Sequence, residues 1–293
     1  MRALHDLPAP AKLNLFLHVT GKRADGYHLL QSVFVLIDWQ DTLHLERRDD
    51  GRLQRHDLGP ALPADDLCLR AARALQQASG TPLGADIHID KHVPWGAGLG
   101  GGSSDAATVL LALNRLWKLH WSRERLLQIA ATLGADVPFF IHGRPAWVEG
   151  IGEQITPLPA SAQLPAPAQL PMRYAVLKPP QALPTAAVFA SRHLPMSAKP
   201  AIVADFLAAP RGWGHNDLQE AAKALSSEVT QALELLSGTF GNSRMTGSGS
   251  AVFAWLDDVA PCPDWPAALP QGWTGRLCQA LPAHPLVGWA HGN

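Results

Sequence analysis

Cysteine is nearly absent. The three present, Cys68, Cys262 and Cys278, cannot all pair and have none of the close spacings of zinc ligation, so neither a disulfide framework nor a zinc site organises the chain. A reducing, cytoplasmic setting is expected. Positive charge is not in surplus either. The 24 Lys and Arg stand against 25 Asp and Glu, a formal net charge of -1, which excludes the clustered cations that nucleic-acid binding requires. Long apolar runs are missing too: no stretch approaches the ~20 residues that span a bilayer. The N-terminal MRALHDLPAP carries charges and prolines where an export signal needs an apolar segment. What the chain does have is 47% hydrophobic residues over 293 positions, enough to bury a core as one large domain or two. Its expected partners are small molecules, not nucleic acid or membrane.

Residues 12–19 alternate Leu13, Leu15 and Leu17 against Asn14, Phe16 and His18, which suits a strand ending at Gly21. After the Gly26-Tyr27-His28 turn, residues 33–37 read as a second strand, and 42–46 continue the sheet. A helix is expected over 67–77 and a strand over 85–90. The helix behind the glycine-rich loop that follows is read at 105–117, with Val109, Leu113, Leu116 and Trp117 on one side. Ser122 caps another helix, 122–133, closed by Gly134. Residues 156–171, loaded with Pro and Ala, read as a linker or long loop. They put a domain boundary between 1–155 and 156–293. A strand at 174–177, a helix over 217–236 and a second glycine turn ahead of the apolar stretch 251–256 follow. The tail after Pro261 carries no readable signal. The expected fold class is α/β or α+β.

The chemistry concentrates in PWGAGLGGGSSDAA, that is Pro94, Trp95, Gly96, Ala97, Gly98, Leu99, Gly100, Gly101, Gly102, Ser103 and Ser104, followed by Asp105. Glycines before a helix let backbone N–H groups approach an anion unobstructed, and the helix N-terminus adds partial positive charge. The physical reading is phosphate binding; the bland one is a flexible surface loop. Residues 96–101 formally match the G-x-G-x-x-G dinucleotide fingerprint, but the element after the next helix reads as a helix where that fold needs a strand. A P-loop is excluded, because no G-K-[ST] ending follows. Ser103 and Ser104 can give hydroxyls to phosphate or to a phosphate-bound Mg²⁺, or Ser104 or Asp105 can simply cap the helix. Lys12 alone reads as a surface lysine at a strand start and Asp136 as a turn cap. Tyr27 and His28 suit stacking on a ring and bonding to its edge, or ordinary packing.

Three ordered segments together resemble the GHMP kinase superfamily of small-molecule kinases: PAKLNLFLHVTGKRADGYHLL at residues 10–30, the glycine-serine loop, and SRMTGSGSAVFAW at residues 243–255. The first segment is most similar to the branch that acts on 4-diphosphocytidyl-2-C-methyl-D-erythritol. The resemblance implies a two-domain fold with ATP and Mg²⁺ in an inter-domain cleft, and transfer of the γ-phosphate to a 2-hydroxyl. It implies catalytic roles for Lys12 and Asp136 and ATP binding by residues 94–104. It assigns Asn14, Tyr27, His28, Phe189, Gly247, Ser248 and Gly249 to the cytidine-diphosphate substrate; no metal ligand is assigned. Homoserine- or mevalonate-type kinases are the alternative. Three positions depart from the branch: Ala97 for glycine, Asp105 for asparagine and Asp66 for asparagine. Asp105 would add negative charge near the triphosphate unless it faces away.

Overall fold

Two long strands, β1 (Ala3–Lys22) and β2 (His28–Arg48), form an antiparallel hairpin around which the rest of the molecule is arranged. The computed structural model describes residues 1–159, 173–195, 200–256, 265–266 and 269–290. In β1 both faces of residues 9–19 are buried, so the alternation in the sequence divides one core from another, not core from solvent. Leu7 and Ala9 join the N-terminal core, Leu13 and Leu15 a central one, and Leu17 and Val19 the core of the C-terminal half. The strands expected at 33–37 and 42–46 are one strand. The polar break between them disappears because Asp41, fully buried, takes backbone N–H groups of His92 and Val93 as partners.

β2 is extended by β4 (Gly84–Asp90), antiparallel, and β4 by β3 (Leu53–Asp57), parallel. The hairpin β5 (Ala146–Glu149) and β6 (Gln154–Pro157) pairs with the other end of β2, so β6 runs across residue 155. The Pro- and Ala-rich segment beyond it lies, from residue 160 on, outside the described residues. Four helices cover the sheet: α1 (Leu67–Ser79), α2 (Gly101–Leu116), α3 (Arg123–Leu133) and α4 (Val137–His142). Ser122 caps α3 by accepting from Arg125 N–H. Helix α2 is the buried one, with apolar residues nearly all round, as expected of a helix between a sheet and other helices.

The C-terminal half carries β7 (Arg173–Lys178), β8 (Arg244–Met245) and β9 (Val252–Leu256), with the short helices α5 (Thr185–Phe189) and α6 (Val203–Ala208). The helix expected at 217–236 is two, α7 (Gln219–Leu225) and α8 (Ser227–Phe240). They part at Ser226, whose backbone is extended and whose hydroxyl donates to Gln181 at 2.6 Å.

The tail that was unreadable in sequence has defined work. Strand β10 (Thr274–Leu281) pairs with β7 along its length and with β2 at its end, through Ala280 opposite Ile37. It thereby joins both halves into the strand order β3-β4-β2-β10-β7-β9-β8. Leu286 and Ala290 then enter the N-terminal core, while Arg123 donates to the carbonyls of Val287 (2.6 Å) and Ala290 (2.9 Å). Among the described residues no helix is long and apolar enough to cross a membrane.

Candidate active site

The expected helix start at residue 105 lies four residues too late: α2 begins at Gly101, with Gly100 as a cap lacking a side-chain bond. Gly101, Gly102, Ser103 and Ser104 therefore form its first turn, in which the N–H groups of 101–103 have no acceptor within the helix and Ser104 N–H donates to Gly100 O at 2.9 Å. Ahead of it Gly96, Gly98 and Gly100 have φ of +63°, +75° and +72°, the left-handed region that glycine enters without strain. Backbone bonds hold this loop on two sides. Lys12 N–H donates to Leu99 O at 2.9 Å from β1, and Ala251 N–H donates to Ala97 O at 3.1 Å from the second glycine turn.

A cavity of about 770 Å³ opens between these turns and the β1–β2 hairpin. Of the loop, Gly96, Gly98 and Gly100 line it; Lys12, Asn14 and Asp136 form an adjoining wall; Tyr27, His28 and Phe189 another; Gly247, Ser248 and Gly249 complete it. The remaining loop residues do not line it. Ala97 and Leu99 are buried in the central core, Trp95 is 72% exposed, and Ser104 is buried with no partner for its hydroxyl among the described residues. Pro94, Gly101, Gly102 and Ser103 belong to the loop and helix start but not to the lining.

Lys12 is 3% exposed, an arrangement that demands partners for its ammonium. Its Nζ donates to Asn14 Oδ1 at 2.5 Å, stands 3.5 Å from Asp136 Oδ2 and lies over the Phe34 ring at 4.5 Å. Asp136 occupies the cap position of α4 yet makes no cap bond, which leaves its carboxylate free for the cavity. Asn14 is fixed in turn: its Nδ2 donates to Ser32 Oγ at 2.9 Å and its backbone N–H to Thr246 Oγ1 at 2.9 Å. Across the cavity the His28 and Phe189 rings stack, centroids 5.1 Å apart and planes 23° apart, and Tyr27 is exposed beside them. Partial burial, and then nearby Lys22, push the His28 imidazole below its usual pKa, so it is neutral at pH 7.

Residues unremarked in sequence support this wall. Asn216 Nδ2 donates to the carbonyls of Met245 (2.8 Å) and Gly247 (2.9 Å). Arg244, buried with no carboxylate partner among the described residues, gives its guanidinium to the carbonyls of Leu15, Gly212, Trp213 and Gly214, and burial pushes its pKa down to about 10. The sequence carried little signal for them, since Asn216 and Arg244 both lie in polar, glycine-containing stretches. Of the departing residues, Asp66 caps α1 through Leu69 N–H and pairs with Arg55 at 2.9 Å. Asp105 is buried against Lys91, facing away from the cavity.

Two family models match, the GHMP kinases N-terminal domain over residues 66–144 and the GHMP kinases C-terminal over residues 205–261. A 4-diphosphocytidyl-2-C-methyl-D-erythritol kinase of Methylibium petroleiphilum is 61% identical, with 99% of each chain covered. The chain belongs to the 4-diphosphocytidyl-2-C-methyl-D-erythritol kinase family of GHMP kinases. A family member from Delftia acidovorans is 55% identical over 99% of this chain and 98% of its own. A crystal structure of a 4-(cytidine 5'-diphospho)-2C-methyl-D-erythritol kinase superposes with a TM-score of 0.73 at 33% identity, covering 94% of this chain and 99% of that one. A mevalonate kinase structure, at 12% identity and a TM-score of 0.64 over 94% of this chain and 99% of its own, shares the fold of the family alone.

Proposed function

We propose that the chain transfers the γ-phosphoryl group of ATP to the 2-hydroxyl of 4-diphosphocytidyl-2-C-methyl-D-erythritol, giving the 2-phosphate and ADP. The observation that carries this reading is the Lys12–Asn14–Asp136 constellation, held rigid between a glycine loop on one side and the Tyr27–His28–Phe189 wall on the other. A loose phosphoryl transfer needs an aligned hydroxyl, a proton acceptor and positive charge near the moving group. Asp136 accepts the hydroxyl proton as the new O–P bond forms and the bond to the bridging oxygen of ADP breaks. Lys12, 3.5 Å from Asp136, offers its ammonium to the transferring oxygens. Residues 94–104 hold the ATP phosphates, chiefly through the backbone N–H groups at the loop glycines and the helix start that have no acceptor within the helix. Gly247, Ser248 and Gly249 approach the substrate from the opposite side. The cytosine ring enters beside Tyr27, His28 and Phe189.

Mg²⁺ belongs to this reading as part of the MgATP substrate, where it neutralises the β- and γ-oxygens. Cytoplasmic location and the division into domains 1–155 and 156–293 are part of the same reading. Purified protein given ATP, Mg²⁺ and the diphosphocytidyl substrate should release ADP stoichiometrically with the 2-phosphate. ADP release with homoserine or mevalonate, and none with this substrate, would replace the reading by another GHMP-type activity.

A further inference from the structure

Beneath the glycine loop lie three charged side chains that take no part in the phosphoryl transfer derived above. Asp41, fully buried in β2, accepts on Oδ1 from the N–H groups of His92 (2.6 Å) and Val93 (2.7 Å), the residues leading into the loop. Its Oδ2 pairs with Lys91 Nζ. The same ammonium bonds Asp105 Oδ2 at 2.6 Å, in the second turn of α2. Gly101 sits over the cluster: a Cβ there would meet the Val93 side chain at 3.0 Å and Asp41 Oδ2 at 3.5 Å. One set of contacts thus reaches the residues leading into the loop, Gly101 near its end and the helix behind it.

We infer that Asp41, Lys91 and Asp105 form an internal clamp that sets the loop at residues 94–101, and that they are positioning residues for ATP. The inference rests on the reading of that loop as the ATP site. A buried ion cluster is a weak source of stability, since apolar residues of equal volume often do as well; what it supplies is fixed geometry. The charge balance agrees. With two carboxylates against one ammonium, burial first, and Asp41 with it, raise the Asp105 pKa, while Lys91 opposes them. A neutral group is therefore accommodated at 105. An asparagine there would keep its oxygen on Lys91 and set its NH₂ where Asp105 Oδ1 has no donor among the described residues.

This distinguishes a clamp from a bulk requirement for charge. Asp105→Asn should hold the KM for ATP and the Kd for ADP within about twofold of the parent, while Asp105→Leu and Lys91→Met raise both about tenfold. The KM for the cytidine substrate should rise by less than the KM for ATP, because the clamp reaches the substrate-side turn only through the loop. Calorimetry with ADP reads the effect independently of turnover. A folded Asp105→Leu protein with unchanged ADP affinity, or with both substrate KM values raised equally, would overturn the inference. Should the leucine variant not fold, Asp41→Asn carries the test: weakened ADP binding supports the clamp, and unchanged binding overturns it. A parent protein that binds no ADP at all would refute the ATP-site reading, and the clamp would fall with it.

Discussion

Gly98 and Gly247 face each other so closely that a Cβ on Gly247 would stand 2.8 Å from the Gly98 carbonyl oxygen. Both have positive φ, +75° and +55°. The two glycine turns are therefore interlocked, and the hydrogen bond from Ala251 N–H to Ala97 O makes them one unit. In the proposed reaction, the turn that holds the donor and the turn that meets the acceptor cannot move independently.

Gly98→Ala tests this interlock. Its Cβ would collide with the Thr246 carbonyl and come within 3.1 Å of Gly249 N, in a backbone conformation already strained for alanine. Left-handed strain and backbone displacement together should cost about 2–4 kcal/mol. Urea unfolding should show the loss, and the KM values of both substrates should rise. A rise for ATP alone would show that the turns are not coupled.

Asp136→Asn removes the proposed proton acceptor while keeping the shape of the side chain. A loss of general-base catalysis on the order of 10³-fold in kcat is expected. ADP affinity should be unchanged, because Asp136 lies on the Lys12 wall and not on the loop. Single-turnover kinetics check the first and calorimetry the second. A matched loss of ADP binding would show that Asp136 shapes the loop instead.

How much of this was legible in the sequence follows from how locally each feature is determined. The glycine loop and the Gly26-Tyr27-His28 turn announce themselves because positive φ and tight turns select particular residue types on the spot. Lys12 and Asp136 were named through resemblance, since neither differs from a surface lysine or a helix cap in isolation. The start of α2 was misread because Gly101 and Gly102 are poor helix formers, and packing beneath the sheet overrides that propensity. Asp41 looked like a break in a strand, and only the fold brings His92 and Val93 to its carboxylate. Arg244 was silent for the same reason: its acceptors come from Leu15 and residues 212–214, far off along the chain.

The stacked pair His28 and Phe189 predicts a one-sided effect. Phe189→Ala removes the ring that faces the imidazole, and aromatic stacking on a base contributes about 1–3 kcal/mol. The KM for the cytidine substrate should rise about tenfold or more. The KM for ATP should hold steady, and Phe189→Tyr should restore the parent value. Equal changes for the two substrates would contradict the assignment of this wall to the cytidine end.

Acid sensitivity should originate far from the cavity, at the docked tail. His284 is buried, accepts from Leu286 N–H on Nδ1, and donates its own N–H to Gly143 O at 2.8 Å. Burial pushes its pKa down to about 4 from the ordinary 6.5. The folded protein therefore keeps this ring neutral over a range in which the unfolded chain binds a proton. Its contribution is whole above pH 6.5 and is lost progressively as the pH falls from there towards 4. By pH 5 the loss should be on the order of 2 kcal/mol from this residue. His284→Asn keeps an acceptor for Leu286 N–H but does not titrate. Urea midpoints measured at pH 7.5 and pH 5 should converge for the variant relative to the parent. An equal drop in both proteins would place the acid sensitivity elsewhere, with buried His18 and half-buried His142 next in line because burial lowers their pKa values in the same direction.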